Sequence, residues 1–308
     1  MSSKLRGAGK ILASPFFIPL CLLGMTLAVF GDALFRGGAI LSDSNNDLAT
    51  AFIYWRDFGF SNLRHGHVAL WNPHQFSGVP FMGGWQAALF YPLNWIYLVL
   101  PLNVAVNCEI VLHVFLTGFF MSLWMARYKL NPVAILLSAA MVMFGGPYFL
   151  HIYAGHLAPL DAMAWVPLIL LAVDGLIDEI KAKWVLLGVF AFAMQILAGH
   201  PQTVFNTVIT VILYTALCLI RSFKKPGFIG NDGQTESRLP SDNPGPIPPE
   251  RAGLLSRWPK IFVGLVAIGI GAGGIAAVQL FTGLQTAEEG IRHGGLTYLY
   301  ASMFSSCW

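Results

Sequence analysis

The chain has 308 residues, of which 56% are hydrophobic and 11% charged, with a mean hydropathy of +0.64 and a net charge of +3. Soluble domains carry roughly a quarter of their residues as charge, so a soluble protein is excluded, and the small basic excess reads as membrane-flanking loops rather than nucleic-acid binding. Cys21, Cys108, Cys218 and Cys307 form no Cys-x-x-Cys pair, which excludes a disulfide framework and a cysteine zinc site.

In chain order, Lys4, Arg6 and Lys10 precede an apolar run from Ile11 to Phe30 without a small-residue cleavage site. This pattern predicts an uncleaved signal anchor with its N-terminus in the cytoplasm. Apolar windows place spans at 11–30, 104–126, 132–150, 162–177, 184–198, 203–220 and 260–280. The predicted fold is an all-α polytopic membrane protein of seven spans, with a large outer loop over 31–103 carrying interfacial helices. Residues 1–222 form the N-terminal bundle of six spans, and 223–258, rich in Pro, Gly, Ser and Asp, read as a flexible cytoplasmic linker. Residues 259–308 supply the seventh span and an outer segment. The polar ending reads as the N-terminal part of a longer protein.

The apolar piece Ala88–Leu100 is laid along the interface, with Tyr91, Trp95 and Tyr97 in the aromatic belt. Counting it as a span would turn Arg127, Lys129, Lys181 and Lys183 outward, against the positive-inside rule. With it left out, only Arg36, Arg56, Arg64 and Arg292 of the 18 Lys and Arg residues lie outside.

The same parity gathers polar groups on the outer face. Asp43 and Asp47, in LSDSNNDL, lie four apart. On a helix starting at Ser44 or Asn45 they share a face, fit to hold a divalent cation or to deprotonate a hydroxyl. Ser, Asn and Asp are equally the preferred helix caps. In HGHVALWNPHQFSGVPF, His65 and His67 lack a third zinc ligand at fixed spacing, and Trp71 and Asn72 shape a pocket rim suited to sugars. Glu109 and His113 stand at i and i+4, about 7 to 8 Å below the outer surface, either as functional intramembrane groups or as a mutual hydrogen bond between helices. His151, His156 and Asp161 fall in a predicted short outer loop, and His200 and Gln202 in the AGHPQT turn. Beyond the seventh span, Arg292 either clamps a phosphate bidentately or pairs with Glu288.

LWNPHQFSGVPF, FYPLNW, AGHPQT and QLFTGLQTAEEGIRHGGLTY together resemble the bacterial membrane protein YfhO family, within the GT-C glycosyltransferases. The resemblance implies a bacterial inner-membrane enzyme. It would transfer a sugar from a polyprenyl-phosphate carrier to an envelope glycan or lipid acceptor on the extracytoplasmic face. It further implies that Asp43 or Asp47 is the base or the metal-associated group, so that a cation cofactor, magnesium or manganese, would fall to that pair. His151, His156 and Asp161 would line the site, with His200, Gln202 and Arg292 near the carrier phosphate. The rival readings are a transporter or flippase of lipid-linked saccharides, for which paired discontinuous helices are not visible in the sequence, and a non-catalytic scaffold for envelope assembly.

Overall fold

A computed structural model describes residues 16–36, 38–43, 45–224 and 249–288. Among these, six helices are long and apolar enough to cross a membrane by length and composition: Phe17–Phe35, Leu102–Arg127, Pro132–Ala154, Leu157–Asp178, Pro201–Ile220 and Arg257–Ile275. A shorter apolar helix, Ala182–Leu197, lies among them. The protein is therefore an all-α polytopic membrane protein.

Numbered in chain order, α1 is Phe17–Phe35, α2 is Ile53–Arg64 and α3 is Leu102–Arg127. The third long helix is interrupted at Phe144–Gly145 into α4 (Pro132–Met143) and α5 (Gly146–Ala154), and the fourth at Ala164–Trp165 into α6 (Leu157–Met163) and α7 (Val166–Asp178). Each second half opens with proline in its first turn, Pro147 and Pro167. There the ring fits the helix start but could not continue a preceding helix. α8 is Ala182–Leu197, α9 Pro201–Lys224, α10 Pro249–Ile275 and α11 Ala277–Glu288. Helix α10 thus starts at Pro249, inside the stretch 223–258 predicted to be linker; residues 225–248 lie outside the described ones.

The interior is built on α3, which packs against α1, α4, α6 and α7. Burial grades the helices: 83% of the apolar window in Leu157–Asp178 is inside the protein, against 6% in Pro201–Ile220. Helices α6 and α7 are therefore central, whereas α9 presents an apolar surface outward.

The two ends of the bundle differ in chemistry. At one end Arg127 pairs with Asp178 at 2.8 Å and lies 4.8 Å over the Trp184 ring, while Arg257 donates to the carbonyls of Ile177 and Asp178. There the buried Asp174 accepts from Trp124 Nε1 and Tyr128 Oη, each at 2.6 Å, and from Tyr214. Asp47, His151, His156 and His200 gather at the other end. Helix α8 starts at the basic end with Trp184 and finishes toward His200, and with 16 residues, about 24 Å of helix, it is the shortest of the seven predicted spans, so six of the seven are long enough to cross.

The outer layer between α1 and α3 has little regular structure: a π-helical turn Leu48–Phe52, α2, a two-residue antiparallel pairing of β1 (Trp71–Asn72) with β2 (Val79–Pro80), and short 3-10 segments Met82–Gly84 and Pro92–Leu98. The Ala88–Leu100 piece forms no spanning helix. Its aromatic belt needs correction. Trp95 is half exposed, but Tyr91 and Tyr97 are completely buried, because their hydroxyls reach the interior charges described next.

Candidate functional site

Two polar groupings stand out, one buried and one at the surface. The buried one forms around Arg56, on α2, whose side chain is wholly inside the protein. Its Nη2 lies 2.6 Å from Glu109 Oε1 and 3.5 Å from Asp161 Oδ2, and Nη1 donates to the backbone carbonyls of Gln86, at 2.9 Å, and Ala87. Tyr97 Oη donates to the other Glu109 oxygen. The Asn94 amide, turned with its nitrogen toward Glu109 at 3.1 Å, also accepts from Arg56 at 3.1 Å.

One helical turn on, His113 Nδ1 is 2.6 Å from the Glu109 carbonyl and 3.1 Å from Asp161 Oδ1, and His113 Nε2 meets Tyr91 Oη at 2.7 Å. Trp165 Nε1 donates to that same hydroxyl at 2.7 Å. Glu109 and His113 are therefore not joined side chain to side chain. Each uses the i, i+4 spacing to face a different partner.

Electrostatics follow from this enclosure. Burial works against the Arg56 charge, yet Glu109, with Tyr97 and Asp161 beside it, outweighs burial and raises the guanidinium above its ordinary range. Burial likewise raises the phenols of Tyr91 and Tyr97 well above theirs, so both serve as neutral hydroxyls. An unpaired charge here would cost several kcal/mol, which explains why the layer before α3 is drawn inward. The carbonyls of Gln86 and Ala87 turn toward Arg56 between two residues of positive φ, Trp85 at 60° and Ala88 at 44°.

The surface grouping is the one at which outer-face chemistry is predicted. Asp47 Oδ2 is 2.9 Å from His156 Nε2, and His156 Nδ1 is 3.1 Å from His151 Nδ1. His200 is close enough for both of these histidines to act on its protonation. Local geometry holds the corner together. Asn46 Oδ1 accepts from the Ala49 N–H and its Nδ2 donates to the Tyr153 carbonyl, so Asn46 both caps the turn after it and ties it to α5. Gly155 has φ of +75°, and a Cβ there would stand 2.5 Å from the Leu48 nitrogen. Only glycine makes this turn and this approach together.

The predicted residues divide accordingly. Asp47, His151 and His156 come together. Asp43 and Asp47 do not share a helix face, because the helical turn starts only at Asp47, with Asp43 in the extended chain before it. The pair thus loses the spacing that suggested a joint cation site. Asp161 does not line the outer corner. The stretch 151–161 is mostly helical rather than an outer loop, and Asp161 points from α6 into the Arg56 cluster.

His200 Nδ1 lies 2.7 Å from Thr203 Oγ1 and accepts from the Thr203 N–H at 3.3 Å, capping α9. Gln202 is exposed in the first turn of that helix. Asn72 is buried, with its Oδ1 accepting from the His74 N–H, while Trp71 is exposed and covers Gly78. Both residues therefore shape the β1–β2 turn. Glu288 is exposed at the end of α11, and Arg292 and His293 lie outside the described residues.

Among the described residues no three His, Cys, Asp or Glu side chains converge as a metal site. Arg56, Asn94, Tyr91, Tyr97 and Trp165 were not singled out as site residues by the sequence reading. The available signal was Glu109 itself, since a carboxylate inside a span demands a counter-charge. Among known protein families, curated proteins and solved structures, none matches this chain.

Proposed function

We propose that the protein is a GT-C-like membrane glycosyltransferase that transfers a sugar from a polyprenyl-phosphate carrier to a glycan or lipid acceptor, with the Asp47 corner as its reaction site. The observation that carries this reading is the Asp47–His156–His151 chain at one end of an all-helical membrane bundle. A carboxylate 2.9 Å from an imidazole is a proton-accepting unit whose base is oriented by its neighbour. The resemblance to the YfhO family and the positive-inside rule both put this corner on the extracytoplasmic side.

In this reading Asp47 takes the proton of the acceptor hydroxyl as its oxygen bonds to the anomeric carbon. The bond from that carbon to the carrier phosphate breaks, and the polyprenyl phosphate leaves with the electron pair. His151 and His200 offer their Nε2 groups as donors to the departing phosphate, His156 being engaged at both ring nitrogens by Asp47 and His151, and Arg292 is the further candidate. No step is routed through a cation.

The test is transfer of radiolabelled sugar in membranes by the variants Asp47→Asn and Asp43→Asn. Loss of a base removes roughly 10²- to 10⁴-fold in rate, so Asp47→Asn is expected to fall by at least that lower figure and Asp43→Asn to stay near wild type. Full transfer by Asp47→Asn overturns the assignment.

One observation favours a second reading, a transporter or flippase of lipid-linked saccharides. The two consecutive interrupted helices, α4–α5 and α6–α7, have the broken form that transporters use at midplane sites, and Asp161 on the shorter half α6 meets Glu109, His113 and Arg56 inside the bundle. That reading expects proton-coupled movement of a lipid-linked sugar in proteoliposomes, abolished by Glu109→Gln and indifferent to Asp47→Asn.

A further inference from the structure

The basic end of the bundle is unused by the proposed reaction, and it holds two hollows that flank α10. The smaller, of about 460 Å³, lies where α10 meets the turn between α7 and α8, and Lys181 and Lys260 line its polar edge above Leu176, Val185 and Val263. The larger, of about 760 Å³, is an open apolar groove between α7, α8, α9 and α10, walled by residues such as Ile169, Phe192, Val211, Phe262 and Leu265. Pro259 lines both hollows, so they meet at that residue. Two buried polar atoms without a partner among the described residues, Thr215 Oγ1 and Trp258 Nε1, belong to residues that line the larger groove.

We infer that these hollows form a binding site for an anionic phospholipid, its phosphate at Lys181 and Lys260 and one acyl chain along the larger groove. Three observations commit the groove to this occupant. Three of its four walls, α7, α9 and α10, belong to helices long and apolar enough to cross a membrane, the fourth is the shorter apolar helix α8, and Val208, Ile212, Phe262 and Val266, each 39% to 66% exposed, line it. Its mouth therefore opens on hydrocarbon, where lipid chains are the abundant apolar species. Its volume falls in the roughly 300 to 1,000 Å³ of ligand pockets.

Charge selects the headgroup. Around this end stand Arg127, Lys129, Lys181, Lys183, Arg257 and Lys260 against Asp174, Asp178 and Glu179. Lys181 and Lys183 both contact Glu179, at 3.0 and 3.5 Å, and Arg127 contacts Asp178. Among the described residues no hydrogen bond or ion pair engages Lys260. Basic clefts between spans at the cytoplasmic surface recognise anionic lipid heads in this way. The site is independent of the Asp47 corner.

The test uses the full chain in nanodiscs of mixed phosphatidylglycerol and phosphatidylcholine, transferred to detergent, with retained lipid identified by native mass spectrometry. Wild type is expected to retain phosphatidylglycerol at least several-fold over phosphatidylcholine, with the preference falling as salt rises. The double variant Lys181→Gln/Lys260→Gln should lose that preference, and Lys181→Arg/Lys260→Arg should keep it. A second arm fills the groove. A Cβ added at Gly269, one of its lining residues, meets nothing within 4 Å, so the side chain of Gly269→Leu starts into open space and should reduce retention of both lipids. Undiminished phosphatidylglycerol preference in the double glutamine variant overturns the headgroup assignment, and unchanged retention in Gly269→Leu overturns the chain seat.

Discussion

Arg56 Nη2 lies 2.6 Å from Glu109 Oε1 with both side chains closed to solvent, which makes one ion pair the link between the irregular outer layer and the helix at the centre of the bundle. Breaking a buried pair leaves an uncompensated charge and costs roughly 3 to 5 kcal/mol, whereas replacing both partners is often close to neutral. Arg56→Met is therefore expected to lower the unfolding free energy in nanodiscs by about that amount, and Arg56→Met/Glu109→Gln to recover at least half of the loss. Equal instability of the single and double variants would contradict the pairing.

The two carboxylates near Arg56 are not equivalent. Glu109 receives the closest guanidinium nitrogen, the Tyr97 hydroxyl and the Asn94 amide, whereas Asp161 stands farther from Arg56, at 3.5 Å, and 3.1 Å from His113 Nδ1. Asp161→Asn is expected to be tolerated with a drop in Tm at most half that of Glu109→Gln, by thermal unfolding in the same membrane mimic.

His200 gives the outer corner a pH dependence. Burial, followed by the neighbouring His151 and His156, lowers its pKa from 6.5 to about 4. The cap explains the direction locally, because Nδ1 serves as acceptor for Thr203 and must stay unprotonated to do so. A depressed folded pKa means that the unfolded chain binds the proton more readily. The contribution is present above pH 6.5 and is lost as pH falls toward 4. A histidine NMR titration should find His200 neutral at pH 5.5, and thermal stability should decline between pH 6.5 and 4.5 less steeply in His200→Asn than in wild type.

Gly199 is expected to resist substitution. Its φ is +84°, and a Cβ would stand 2.3 Å from the Trp85 carbonyl oxygen. The left-handed conformation alone costs an alanine roughly 1 to 2 kcal/mol, and the steric conflict adds to it. Gly199→Ala should therefore lose more stability than Gly24→Ala, where nothing lies within 4 Å of the new Cβ. Comparable Tm values for the two would show that the contact is loose.

The helices were legible because a span announces itself: among the described residues each of the seven apolar windows overlaps a helix, although boundaries moved by several residues, the windows 132–150, 162–177 and 260–280 each divide into two helices, and the helix in 184–198 is shorter than the six long enough to cross. Segregation of Arg127, Lys181, Lys183 and Arg257 from the histidines was legible too, since charge position follows from counting crossings. The partners of Glu109 were not. Arg56, Tyr97 and Asn94 lie in a stretch without periodicity, and hydropathy makes Tyr91 and Tyr97 look like interface anchors. Nothing local says that their hydroxyls turn inward. Asp161 was misplaced for a related reason, because the turn at Gly155 is too short to hold it and the chain re-enters a helix at Leu157. Of the surface corner, Asp47, His151 and His156 were visible as polar residues of one face, but that they touch, and that Asp43 stands apart from Asp47 on the chain before the first helical turn, needed the fold.

The order of residues along the chain gives the Arg56 cluster a chronology. Arg56 leaves the ribosome before Glu109, and Asp161 follows both, so the counter-charge of the α3 carboxylate is already synthesised when that helix is inserted. The loop from Arg56 to Glu109 is shorter than that from Arg56 to Asp161, so it closes at a somewhat lower entropic cost. The first two long helices and the outer layer can settle as a unit while α6 is still being synthesised. Asp161 and its neighbours then dock against a seat already formed. A chain in which Arg56 has been replaced would instead present Glu109 without its counter-charge during insertion, so a lowered yield of inserted protein is expected beside the lowered stability of what is recovered.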